Sequence, residues 1–140
     1  MPNRITSRLL KMRGTKVPSS KSPSKFLHEG KAYIEKGDPL QASEKLYKAA
    51  EEAIKALAPD YANGVWKEVQ EKGRWTSPLL FEGVAQIARN LKNEQVRRYW
   101  NAAWFLHVEG FHERRLDIDR VREQAGDVEE LVKLVETSTL

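Results

Sequence analysis

His107, His112 and Glu113 are the side chains best suited to acid–base or metal chemistry, and they crowd into one stretch, Leu106-His107-Val108-Glu109-Gly110-Phe111-His112-Glu113. A metal needs nitrogen or oxygen donors that converge on one point. On an α-helix, positions five apart are only awkwardly cofacial, and His28 would have to arrive from far away in sequence. No metal site and no cofactor is expected. His107 falls one turn after Ala103 and one before Phe111, which reads as a packed ring with one nitrogen hydrogen-bonded. Arg98 could join a histidine at a phosphodiester, but nine positions on a helix separate it from His107. That is about 13 Å, on nearly opposite faces. The chain has no cysteine, so a thiol nucleophile, a thiolate metal site and a disulfide framework are all excluded. It also has no glycine-rich phosphate loop and no recognisable Ser–His–Asp arrangement. Asp117 and Asp119 read as helix caps, and Trp66, Trp75, Trp100 and Trp104 as core residues, with Trp75 the one expected at the surface. No catalytic residue is assigned, and the chain reads as non-enzymatic.

Charge supplies the stronger signal. Arg4, Arg8, Lys11, Arg13, Lys16, Lys21 and Lys25 lie in the first 28 residues with no acid among them. The remainder holds 17 basic and 20 acidic residues, a net of −3 behind a front of +7. Cations gathered in this way match a phosphate backbone, and each neutralised phosphate releases counterions. Intervening serines and threonines add donors for phosphate oxygens. Aromatic residues are absent before Phe26, so recognition by charge and shape is expected rather than base stacking. Arg97 and Arg98 are expected to extend the patch. The bland alternative is a solvated, solubilising tail.

Residues 1–22, with Pro2, Gly14, Pro18 and a serine cluster, read as an extended or disordered arm. A cleavable targeting peptide shares this composition and is the competing reading; a secretory signal lacks its apolar core here. Residues 23–140 read as one domain. No apolar run approaches the roughly 18–20 residues needed to cross a bilayer. Charged residues make up 31% of the chain, a lean towards a thermophile.

The domain must be built from helices, because no stretch alternates polar and apolar residues for long enough to make a strand. The clearest helix follows Gly37. Asp38 caps it, Pro39 occupies its first position, and Leu40, Ala42, Leu46, Ala49, Ala50, Ala53, Ile54 and Leu57 form one apolar stripe. Glu44–Lys48 and Glu51–Lys55 fall four apart on its wet side, and Pro59 is expected to stop it. A helix from about Ser22 to Lys36 precedes it. Three follow: one capped by Asp60 and closed by Gly73, one opened by Thr76-Ser77-Pro78, and an aromatic one capped by Asn93 and continuing through Phe111. The last, from about Asp117 to Thr137, carries Gly126, which could bend or split it. The expected fold class is all-α, an antiparallel bundle of about five to six helices behind an extended basic N-terminal arm.

The run Gly37-Asp38-Pro39-Leu40-Gln41-Ala42-Ser43-Glu44-Lys45-Leu46-Tyr47, leading to Ala49-Ala50 and Ala53-Ile54-Lys55-Ala56-Leu57-Ala58, resembles the signature of the crenarchaeal PaREP family. Trp100, Ala103, Leu106-His107 and Phe111-His112-Glu113 are similar to that family's aromatic helix, whose usual pattern is closer to Leu-His-x-x-Phe-Tyr-Glu. The likeness covers roughly residues 26–136 and leaves the basic arm outside it. It implies an archaeal, cytoplasmic, HEPN-like helical bundle and supplies no catalytic residue. Catalytic HEPN ribonucleases carry Arg and His four to six residues apart, and no arginine stands at that spacing before His107 or His112.

The leading expectation is a non-enzymatic RNA- or ribonucleoprotein-binding protein, ribosome-associated, whose arm contacts phosphates while the bundle docks. The alternatives are a HEPN-like interaction module of a toxin–antitoxin or defence pair, acting as a homodimer, and a HEPN-type nuclease using His107 or His112. No membrane partner is expected.

Overall fold

The computed structural model describes residues 22–138, and among them every regular element is helical. The elements are α1 (Pro23–Glu35), α2 (Pro39–Tyr61), α3 (Asn63–Lys72), α4 (Ser77–Asn90), α5 (Gln95–Phe105), a π-helical segment (Leu106–His112) and α6 (Ile118–Ser138). The fold is an all-α bundle. Arm residues Arg4, Arg8, Lys11, Arg13, Lys16 and Lys21 lie outside the described residues.

Local chemistry sets the starts. Ser22 accepts from the Lys25 amide at 3.2 Å, Asp38 Oδ1 from the Gln41 amide at 3.0 Å, and Thr76 Oγ1 from the Leu79 amide at 3.3 Å. In each case a proline follows within the first turn, where a missing N–H costs nothing. Gly37, at φ 73°, turns the chain back, so α1 and α2 lie side by side and antiparallel. Gly30 lets them approach closely, since a Cβ there would run into the Leu46 side chain.

α2 is the axis of the molecule and touches every other described element. Leu46, Ile54 and Leu57 on its inner face are fully buried, each contributing roughly 1.5–3 kcal/mol of transfer free energy. Ala42, Ala49, Ala50 and Ala53 are equally buried and keep the neighbouring backbones near. Val96, Trp100 and Leu106 from the aromatic region and Val121, Val128 and Leu131 from α6 complete the core. On the wet side Lys55 bridges Glu51 at 3.0 Å and Glu52 at 3.3 Å. Burial works against the Lys55 charge, but these two carboxylates outweigh it and raise its pKa.

Several boundaries differ from expectation. α2 runs through Pro59 to Tyr61, because a proline deletes one donor while the Ala62 amide still reaches the Ala58 carbonyl at 2.8 Å. Asp60 is therefore inside α2, and α3 starts without a side-chain cap. Asn93 Oδ1 accepts from the Gln95 amide at 3.0 Å, while Glu94 occupies the cap position of α5. Asp117 caps α6 by accepting from the Arg120 amide at 2.8 Å; Asp119 lies within that helix and pairs with Arg122. α6 passes Gly126 unbroken. Trp75 is half-buried, with its ring edge near Gly83, rather than at the surface. The largest departure is the π-helical segment, where one continuous α-helix through Phe111 was expected.

Candidate functional site

The histidine-bearing stretch adopts a wider helix than its neighbours. Its last turn closes through the Glu113 amide and the Val108 carbonyl at 2.8 Å, five residues apart. Gly110 makes this possible: it packs directly on Ser43 of α2, and any Cβ at that position would strike the serine side chain. Leu106 then faces the core while His107 and Phe111 face outwards. The exit is clamped by Arg115, which binds the Glu109 carboxylate through Nε at 2.7 Å and a terminal nitrogen at 3.1 Å. That hydrogen bond holds the Glu109 carboxyl below the usual range.

In this wider helix, positions five apart meet. His107 Nε2 and His112 Nε2 are 3.2 Å apart. This corrects the expectation of an awkward pair, which rested on α-helical geometry. The His107 ring stacks on Tyr47 at 4.0 Å between centroids, with an interplanar angle of 23°. Trp104 tilts against it at 5.1 Å and Phe111 lies beyond it at 6.5 Å. Tyr47 also meets Trp100 and Trp104, and Phe81 meets both tryptophans edge-on. His107 is thus packed and hydrogen-bonded, but half-buried rather than sealed in the core.

Beside it runs a groove of about 160 Å³ lined by Glu44, Tyr47, Lys48, Glu51, His107 and Phe111. Glu44 and Lys48, expected as a surface pair, are two of its walls. Burial lowers the pKa of His107, as does the neighbouring His112, against a smaller opposing pull from Glu51 and Glu44. Burial, helped by Glu51, raises that of Tyr47 so that the phenol stays protonated. The His107 ring is therefore held towards its neutral form, and Tyr47 keeps its phenolic proton. Among the described residues no group of three or more His, Cys, Asp or Glu is placed to hold a metal ion.

The remaining candidates are dispersed. His28 and Lys25 are exposed on α1. Arg97 pairs with Glu94 at 2.7 Å. Arg98 reaches Asp127 at 3.5 Å and lies over the Tyr99 ring, so its partners are not the histidines. Both arginines are exposed, yet each is matched by a carboxylate. Sequence reasoning missed the groove; its one available signal was Gly110 within an otherwise aromatic helix, a residue that helix interiors disfavour. Among the described residues no helix is long and apolar enough to cross a membrane.

Comparison with known proteins gives a family and a fold. The model of the archaeal PaREP1/PaREP8 family matches residues 20–132. A crystal structure of a protein from Sulfolobus solfataricus superposes with a TM-score of 0.78 at 39% identity, covering 85% of this chain and 97% of the other. A solution structure of the same structural-genomics target gives 0.73 at 40% identity, covering 86% and 92%. The comparison with curated proteins gives no match.

Proposed function

The chain belongs to the archaeal PaREP1/PaREP8 family, and we propose that this member is a non-enzymatic RNA- or ribonucleoprotein-binding protein of the cytoplasm, with the ribosome the leading partner. The observation that carries this reading is the segregation of charge: +7 over the first 28 residues, ahead of a body of −3. Most of those cations precede residue 20, where the family match begins. The family match thus leaves the first five of these cations outside it; Arg4, Arg8, Lys11, Arg13, Lys16 and Lys21 of the arm, with Lys25 at the start of α1, are the phosphate contacts. Arg97 and Arg98 extend the patch more weakly than the arm, since each is exposed but shares its charge with a carboxylate, Glu94 or Asp127.

The test compares RNA binding by the full chain with that of a chain beginning at Ser22, at several salt concentrations. A large loss of affinity on truncation supports the arm; equal affinity at every salt concentration ends the idea.

A second reading is a HEPN-like interaction module that pairs with a second copy in a toxin–antitoxin or defence system. The observation favouring it is a pair of exposed large aromatics, Phe81 on α4 and Phe105 on α5, each 40% exposed. Sedimentation of the full chain and of a Phe81→Ser, Phe105→Ser variant separates the two. A dimer that dissociates in the variant favours this reading; a monomer in both favours the first.

A further inference from the structure

We propose that His107 and His112 form a two-histidine chelate for a divalent d-block cation such as Cu²⁺, Ni²⁺ or Zn²⁺. Two imidazole nitrogens on one tetrahedral ion, each 2.0–2.1 Å from it, stand about 3.3–3.4 Å apart. The two Nε2 atoms here are 3.2 Å apart. The rings meet edge to face, 4.5 Å between centroids and 84° between planes, so closing the chelate needs the exposed His112 ring to turn until both lone pairs converge on the ion.

The pair is preorganised rather than accidental. The π-helical winding brings i and i+5 together, and π-helical turns are frequent at functional sites. Gly110 seats the winding on Ser43, and the Glu109–Arg115 clamp closes its exit. Tyr47 and Trp104 hold the His107 ring, while Phe111 meets the His112 ring edge-on at 5.2 Å. His112 is exposed, so an ion has access from solvent.

Protonation is compatible with binding. The charged and titratable groups around His107 are His112 on its own segment and Glu44, Tyr47, Lys48 and Glu51 on α2. The neutral imidazole is the ligating form. In the apo pair one Nε2–H donates to the other Nε2. On metal binding the donor carries its hydrogen on Nδ1 instead, both Nε2 lone pairs point at the ion, and no net proton is released. The protein supplies two ligands, in keeping with the absence of any larger donor group among the described residues. Water fills the remaining positions. Imidazole donors suit copper, nickel and zinc, and affinity should follow the usual order with Cu²⁺ tightest.

Calorimetric titration of the full chain with CuCl₂ and ZnCl₂ at pH 7.5 tests this, alongside His107→Gln, His112→Gln and His28→Gln variants. One equivalent should bind the wild type, at least tenfold more weakly to either pair variant and unchanged in His28→Gln. His112→Gln alters an exposed side chain, so its circular dichroism should match the wild type. As a second readout, substoichiometric Cu²⁺ should broaden the ring resonances of His107 and His112 before those of His28. Wild-type affinity retained in both pair variants would overturn the proposal, as would broadening that begins at His28.

Discussion

The ring of Tyr47 lies face to face with that of His107, 4.0 Å between centroids, and so joins the central helix to the π-helical segment. Burial of the His107 ring, to which this contact contributes, and the neighbouring His112 together lower its pKa. The unfolded chain holds this histidine at the ordinary value near 6.5, whereas the folded state holds it lower. Above 6.5 both states are neutral, and this histidine has no effect on stability. As pH falls through 6.5 the unfolded state takes up its proton first, so stability is lost until the folded ring also titrates. The ring resonances of His107 should therefore titrate with a midpoint below the ordinary histidine value near 6.5. A midpoint at or above 6.5 would contradict the packing described.

Gly110 and Gly126 should respond oppositely to alanine. At Gly110 the new methyl would strike Ser43, and overpacking of this kind costs about 1–3 kcal/mol. At Gly126 nothing lies within 4 Å of the added Cβ, and an exposed helix interior gains roughly 0.5–1 kcal/mol from the same change. Thermal melts of the two variants give the signs directly.

Ser43→Ala should stabilise the protein. Its hydroxyl is fully buried and has no hydrogen-bond partner among the described residues. Relieving a buried unsatisfied hydroxyl is worth on the order of 1 kcal/mol. Urea melts should show a higher midpoint at unchanged m-value. A lower midpoint would mean that the hydroxyl makes a stabilising interaction after all.

These residues also mark how far the sequence could be read. α2 was legible because cap, proline, apolar stripe and ion pairs all agreed along one element. Its far end was less so, since a proline near a helix terminus removes one donor without forbidding another turn. The π-helical segment was invisible because its cause is tertiary: Gly110 packs directly on Ser43 of α2, where any side chain would clash, and residues 67 positions apart in sequence carry no joint local signal. The histidine pairing followed from that winding, so reading the stretch with α-helical periodicity put His107 and His112 in poor register. Trp75 was misjudged for a related reason, as its partner surface at Gly83 comes from another helix.

Replacing Arg97 and Arg98 with alanine should cost less than threefold in RNA affinity at physiological salt, because both charges are already met by Glu94 and Asp127. Exposed pairs of this type are worth about 0–1 kcal/mol each, so melting should change little. A loss as large as that from the arm would place the binding face on the bundle.

The dependence of RNA affinity on salt tests the phosphate-contact reading most directly. If the seven cations of the first 28 residues meet phosphates on a single strand, log K should fall against log salt with a slope of about −5, at roughly −0.7 per contact. Substituting Arg4, Arg8, Lys11, Arg13, Lys16 and Lys21 by glutamine in the full chain should flatten that slope towards zero and weaken binding at low salt by orders of magnitude. A slope and affinity unchanged by the six substitutions would contradict the account.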